Sequence, residues 1–331
     1  MENSNRKYCV FFNTKDHYPM FEGCLFKYSK ANWNDVILLN IDIDSTEDEI
    51  KKGKEVCEKL GIHWVNKDGE IFTSAQQGLL AADRYLTENG IDVDWLVNFE
   101  HDSVPLRESH WEDVDEFINN HPEINEKVGM FGANTHQGGY SLAVEQVKSD
   151  DLIYKRKNKT KTGRGNLIKG ILHSPHDGWY KNLSDDYYLT DYFVSETVVH
   201  HMCAFNRKAL KNLEADVLFE YDLWEDDIGH QMMLNGYLNI VIPDIIVSHD
   251  HGMKTGIELT IREDFKRNQK SHDRFIEKYG WDWGYRNLIL REQFKMSRSF
   301  WSGKDIYENT IQEKLFEMDI NDGPKRIEDF E

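Results

Sequence analysis

The chain has 331 residues, enough for one large domain or two ordinary ones with a substantial core. Apolar residues make up 39% and aromatics 12%, which excludes a disordered chain. With 59 acidic against 40 basic residues the formal net charge is -19, which favours solubility and argues against broad nucleic-acid binding.

In chain order, Tyr8–Phe12 (YCVFF) predicts a short buried strand, and Pro19–Lys30 a helix with Pro in its first turn. Val36–Ile43 (VILLNIDI) is a second apolar strand. Thr46–Leu60 is an amphipathic helix with acids at its start and Lys at its end, as the helix dipole favours, and Gly61 closes it. Ile62–Val65 is a third strand. Thr73–Glu88 is a helix closed by Asn89-Gly90, Asp94–Phe99 a fourth strand and Val128–Ala133 a fifth.

This alternation predicts βαβ units and a mixed, mostly parallel α/β sheet flanked by helices, in which ligands bind at the carboxyl ends of the strands. Asn13-Thr14, Asp42-Ile43-Asp44 and Glu100-His101-Asp102 all fall at such ends.

Residues 136–196 are rich in Gly, Asn, Asp and Tyr and include the basic stretch KRKNKTKTGR, 155–164. Thr197–Phe205 predicts a strand, Arg207 the start of a helix and Trp224–Gly236 (WEDDIGHQMMLNG) another. Leu238–Val247 is extended and apolar and runs into Ser248-His249-Asp250-His251. The remainder predicts a charged helical extension.

Cys9, Cys24, Cys57 and Cys203 lack metal or disulfide spacing, the N-terminus lacks a signal-peptide apolar core, and no stretch reaches the roughly 18 apolar residues of a membrane span. These features predict a cytoplasmic protein with reduced thiols. They leave room for peripheral contact with a membrane.

Two clusters suggest chemistry. Glu100 and Asp102, two apart after a strand, can turn toward one hard cation such as Mg²⁺ or Mn²⁺; a solvated loop with a helix cap is the plainer alternative. Glu225-Asp226-Asp227 opens a helix, where one or two acids serve the free N–H groups and a third is left for proton abstraction. His249, after an apolar strand, could complete a metal shell, although a lone His is more often structural. His200-His201 reads as packing and hydrogen bonding. No P-loop, dinucleotide fingerprint or nucleophile elbow is present.

Taken in order, these motifs resemble nucleotide-sugar glycosyltransferases of the A-type fold (GT-A, Rossmann-like), in particular the large inverting family 2. Ile41-Asp42-Ile43-Asp44-Ser45-Thr46 is similar to "V-D-D-G-S-T", and Glu100-His101-Asp102 to the D-x-D motif with Glu for the first Asp. His201–Leu210 resembles the stretch before the family's acidic motif. Glu225-Asp226-Asp227 resembles "E-D-x-D/E", Asn235-Gly236-Tyr237 its "x-G-Y/F", and His249 the late metal-bound His. The Gly after Asp42 and a Q-x-x-R-W motif are missing, and the latter absence argues against a processive synthase.

The resemblance implies a metal-dependent, inverting transfer of sugar from a nucleoside diphosphate sugar, UDP-sugar favoured, to a saccharide or other hydroxyl acceptor. Asp102, Glu100 and His249 would hold Mn²⁺ or Mg²⁺. Asn13, Thr14, Asp42, Gln77, Glu100 and His101 would line the donor. Asp226, with Asp227 and Glu225 beside it, would supply the base. The expected units are a GT-A domain over 1–255 (donor half 6–135, acceptor and catalytic half 136–255) and a helical extension over 256–331. A nucleotidyltransferase or a metal-dependent hydrolase on a similar sheet are the alternatives, and a glycosyltransferase acting on DNA a minor one.

Overall fold

The computed structural model describes residues 8–16, 29, 31–100, 103–105, 107–137, 190–195, 198, 201–220, 223–249, 265–279, 309–311, 314 and 323–331. Of these, 134–137, 248, 249, 265–269 and 272 are described by backbone alone. The expected helix at Pro19–Lys30 and the basic stretch 155–164 lie outside them.

The chain runs β1 (Tyr8–Thr14), β2 (Ile37–Asp42), α1 (Glu47–Leu60), β3 (His63–Trp64), α2 (Ala75–Glu88), β4 (Trp95–Phe99) and β5 (Ser103–Pro105). It continues with α3 (His110–Asn120), α4 (Ile124–Lys127), β6 (Val128–Gln137), β7 (Phe193–Ser195), β8 (Met202–Asn206), α5 (Trp224–Leu234), β9 (Leu238–His249) and α6 (Phe265–Tyr279). Short 3-10 turns occupy Ala209–Asn212 and Ile327–Phe330.

The described strands form one nine-stranded mixed sheet ordered β3-β2-β1-β4-β8-β6-β9-β5, with β7 also on β9. β3, β2, β1 and β4 are parallel neighbours. β8 then pairs antiparallel with both β4 and β6, and the long β6–β9 pair is parallel again. The sheet is therefore the mixed, mostly parallel α/β layer that the alternation predicts.

Both faces of the sheet are covered, so its strands read as continuous apolar runs. Period two divides β1: Cys9 and Phe11 enter one core, Tyr8, Val10 and Phe12 the other. The first core is closed by Leu79, Ala82 and Leu86 of α2, Ile228 and Met232 of α5, and Phe275 and Tyr279 of α6. The second is closed by Cys57 of α1, Trp111 and Val114 of α3, and Ile327 near the C-terminus. Elements beyond residue 256 thus complete both cores. Gly129 of β6 permits the close seat of α5: a Cβ there would lie 2.7 Å from Met232 Sδ and 2.9 Å from Tyr237 Cβ.

Local signals explain the helices. Thr46 caps α1, accepting from the Glu49 N–H at 3.4 Å, and Gly61 closes it in the left-handed conformation at φ +70°. Ser74 and Gln77 form a capping box at the start of α2.

Several expectations need correction. The helix expected from Arg207 is only the Ala209–Asn212 turn, because the Arg207 N–H donates back to the Asp94 carbonyl and its guanidinium is held by Asp83 and the Ile91 and Val93 carbonyls. β8 begins at Met202, not Thr197. β5, α3 and α4 were not anticipated. Pro105 sits in the edge strand β5, where a missing N–H is tolerated. β9 reaches His249 through an irregularity: Ala133 pairs with Ile242 and Asn134 with Ile246, so Pro243 and its neighbours are set outside the ladder. Cys9, Cys57 and Cys203 are buried free thiols. Among the described residues no helix is long and apolar enough to cross a membrane.

Candidate active site

The carboxyl ends of β1, β2 and β4 lie side by side. Thr14 pairs with Asp42, and Phe11 with Asn98, two residues before Asn13 and Glu100 respectively. The Thr14 hydroxyl donates to Asn40 Oδ1 at 2.9 Å and is buried. Asn66 brackets Asp42, accepting its N–H at 2.7 Å and donating to its carbonyl at 2.9 Å. Asp42 Oδ1 accepts the Ser45 N–H at 3.2 Å, which turns the chain away from the strand end. Asp44 stands where "V-D-D-G-S-T" has Gly and adopts φ +56°, a conformation Asp tolerates. The missing glycine is thereby accommodated.

Asn13 donates to the Ala75 carbonyl at 3.2 Å, which fixes its side chain against the start of α2. Gly78 makes this possible, since a Cβ there would fall 2.0 Å from Asn13 Oδ1. Gln77 lies one turn away, but its carbonyl accepts from the Thr73 N–H at 2.7 Å and the Ser74 N–H at 3.2 Å. It is a capping residue in this structure.

Glu100 ends β4. The Ser103 N–H donates to the Glu100 carbonyl at 3.0 Å, and Ser103 is in register with His249 of β9. The backbone thus brings positions 100, 103 and 249 together. His101 and Asp102 lie outside the described residues. Glu100 Oε2 is 3.5 Å from His201 Nε2, at the antiparallel β4–β8 junction. Cys203 follows on β8, and its thiol pKa is pushed well up by burial, then by the charges of Glu225 and Glu100. Two carboxylates 125 positions apart in sequence therefore bear on one sulfur, with a buried His beside them. From sequence alone His201 reads as packing; its proximity to Glu100 follows from the β4–β8 register.

α5 supplies the acids. Glu225, Asp226 and Asp227 are at most 1% exposed, an unusual cost for three successive carboxylates. Asp227 is saturated. Its Oδ1 accepts from Lys278 Nζ and the Tyr279 hydroxyl, each at 2.6 Å; its Oδ2 accepts from Gln76 Nε2 at 2.9 Å and Gln231 Nε2 at 2.7 Å. Gln76, unmarked by any motif, also donates to the Trp224 carbonyl at 3.0 Å and accepts from the Asp216 N–H at 2.6 Å. It ties α2 to the start of α5. That start has no side-chain cap and is entered through Leu223 at φ +61°, a strained conformation for a bulky residue, costing about 1–3 kcal/mol.

Among the described residues no three candidate ligands form a ready metal site. The donor chemistry at the β4 end nevertheless suits a hard cation: Glu100 offers a mostly buried carboxylate, and the register sets positions 103 and 249 beside it.

A scan with protein-family models matches none of them, and a search of curated proteins gives no match. Among solved structures, the mannosyltransferase PcManGT from Pyrobaculum calidifontis, in complex with GDP-Man and Mn²⁺, is similar at 13% identity. That likeness covers 89% of this chain and 70% of that one, with TM-score 0.46. Staphylococcus aureus TarS is similar at 12% identity over 85% of this chain but 45% of its own, with TM-score 0.44. Its 1–349 fragment in complex with UDP gives 11% identity, 85% and 74% coverage and TM-score 0.43.

Proposed function

We propose that the protein is a metal-dependent glycosyltransferase that moves a sugar from a nucleoside diphosphate sugar, a UDP-sugar in the first instance, to a hydroxyl acceptor with inversion. The observation that carries this reading is that β8 lies between the two acidic groups: it pairs with β4, beyond whose end Glu100 lies 3.5 Å from His201, and its Phe205 ring packs 6.0 Å from Trp224 at the acidic start of α5.

In this reading Asp102, Glu100 and His249 hold Mn²⁺ or Mg²⁺. When bound, the ion supplies Lewis-acid neutralisation of the charge that develops on the departing diphosphate. Glu100 Oε2 also lies 3.5 Å from His201 Nε2, within ion-pair reach of a protonated imidazole. Asn13, Thr14 and Asp42 form the wall toward base and ribose, and the bracket from Asn66 keeps Asp42 in place. Asp226 removes the acceptor proton as the new bond forms on the face opposite the leaving group. Asp227 is not a second base, because four donors already occupy its oxygens and hold it as an anion within the fold.

A thermal-shift panel tests the proposal. UDP-, GDP-, CMP- and dTDP-sugars are each paired with Mn²⁺, Mg²⁺ or EDTA. A ligand at 100 times its Kd adds about 2.7 kcal/mol to the folded state. Stabilisation by one nucleotide sugar, dependent on metal and lost in Asp102→Ala, is the expected outcome. No stabilisation by any pair overturns the reading.

A further inference from the structure

The contacts around Asp227 have a consequence for the site. They come from three directions: α2 through Gln76, α5 itself through Gln231, and α6 through Lys278 and Tyr279. α6 provides the two shortest and, in Lys278, a cation opposite the carboxylate. Its apolar side meets the same helix. The Tyr279 ring lies 4.1 Å from that of His230, and Phe275 lies 5.5 Å from His230. Phe219, just before α5, packs 6.3 Å from Phe275 and carries Lys278 Nζ over its ring at 5.8 Å. Arg274 donates to Asp216 at 2.7 Å, next to Gln76. Thus both the polar and apolar contacts of α6 converge on the first two turns of α5 and the loop before it.

Those turns cannot set their own position. Leu223 is strained, the helix has no side-chain cap, and Asp227 is a buried anion that demands a cation. Asp226 precedes Asp227 on the same turn. We propose that Lys278 and Tyr279 are positioning residues that act through Asp227, so that the seating of α6 fixes the place of Asp226 and is a condition of turnover. The inference rests on the glycosyl-transfer reading for its kinetic consequence, and on geometry alone for the clamping of α5.

The test uses the full chain with Tyr279→Phe, Lys278→Met and Lys278→Arg. Tyr279→Phe keeps the ring contacts and deletes one 2.6 Å hydrogen bond, so it serves if Lys278→Met does not fold. Amide exchange is read along the chain, and release of nucleoside diphosphate from UDP-glucose, or from whichever sugar stabilises the wild type, is read with Mn²⁺. Expected are exchange about 10-fold faster at Trp224–Ile228 with β1 and β4 unchanged, kcat lower by about 10- to 100-fold, and donor KM within about twofold. Lys278→Arg should recover part of the lost kcat. Unchanged exchange at α5, exchange that rises equally across the sheet, or a kcat that holds while α5 loosens would each overturn the proposal. Should the wild type release no nucleotide from any donor, the transfer reading fails by itself, while the exchange still decides whether α6 clamps α5.

Discussion

Gly78→Ala tests how the donor-side wall is built. In an ordinary helix this change stabilises by up to about 1 kcal/mol, because glycine loses more backbone entropy on folding. Here the new methyl falls 2.0 Å from Asn13 Oδ1 and 3.0 Å from its Cγ. Asn13 must swing away, which breaks its 3.2 Å hydrogen bond to the Ala75 carbonyl. The lost bond costs about 0.5–1.5 kcal/mol and the local overpacking about 1–3 kcal/mol. The net expectation is a loss of about 0.5–3.5 kcal/mol once the helix gain of about 1 kcal/mol is subtracted. In an Asn13→Ala background the obstacle is gone, and Gly78→Ala should stabilise by up to about 1 kcal/mol. The sign therefore reverses between backgrounds, with a coupling of about 1.5–4.5 kcal/mol. Urea unfolding of the four proteins measures it, with a common m-value confirming that stability alone has changed. A stabilising Gly78→Ala in the wild-type background, or equal effects in both, would refute the close approach of Asn13 to α2.

Other outcomes separate the acids and the two cores. Asp226→Asn should lower nucleotide release by at least about 100-fold while the unfolding midpoint moves little. Asp227→Asn should instead destabilise in the same urea assay, since its amide offers Lys278 no countercharge. Burial, aided by Arg107, holds the His110 pKa down at about 3 against the ordinary 6.5. The unfolded chain binds that proton first, so this contribution to stability is full above pH 6.5 and is lost progressively as pH falls toward 3. By pH 5 the loss amounts to about 2 kcal/mol, and in His110→Phe the fall in unfolding free energy between pH 7 and pH 5, read from urea curves, should be smaller by about that amount. Ile327→Ala should cost about 2–4 kcal/mol, because Ile327 is 1% exposed in the second core; a negligible change would show that the C-terminal turn is not seated there.

The parts of the fold legible in sequence are those whose signals are local. Thr46 and Gly61 bound α1, and Ser74 with Gln77 announces α2, because caps satisfy backbone groups within a few residues. The VILLNIDI run declares a strand covered on both faces. What failed depended on distant partners. Read locally, Arg207 opens a helix; folding brings Asp83, Ile91 and Val93 beside it instead. β5 is three residues ending in Pro and has no pattern of its own; it exists because β9 offers an edge.

The same distinction governs the acidic motif. In sequence Glu225, Asp226 and Asp227 are three similar acids at a helix start, and helix-end electrostatics favours each of them about equally. Their roles diverge only through residues far away in the chain. Asp227 becomes a structural anion because Gln76, from 151 positions earlier, and Tyr279, from 52 positions later, reach its two oxygens. The charges of Glu225 and Glu100 both raise the Cys203 thiol pKa because β8 runs between β4 and β6. In the proposed reaction Asp226 is the base, and Asp227 beside it is the acid tied to α2 and α6. On that proposal one acid of the run serves the chemistry, while Asp227 fixes the helix start through partners on α2, α5 and α6.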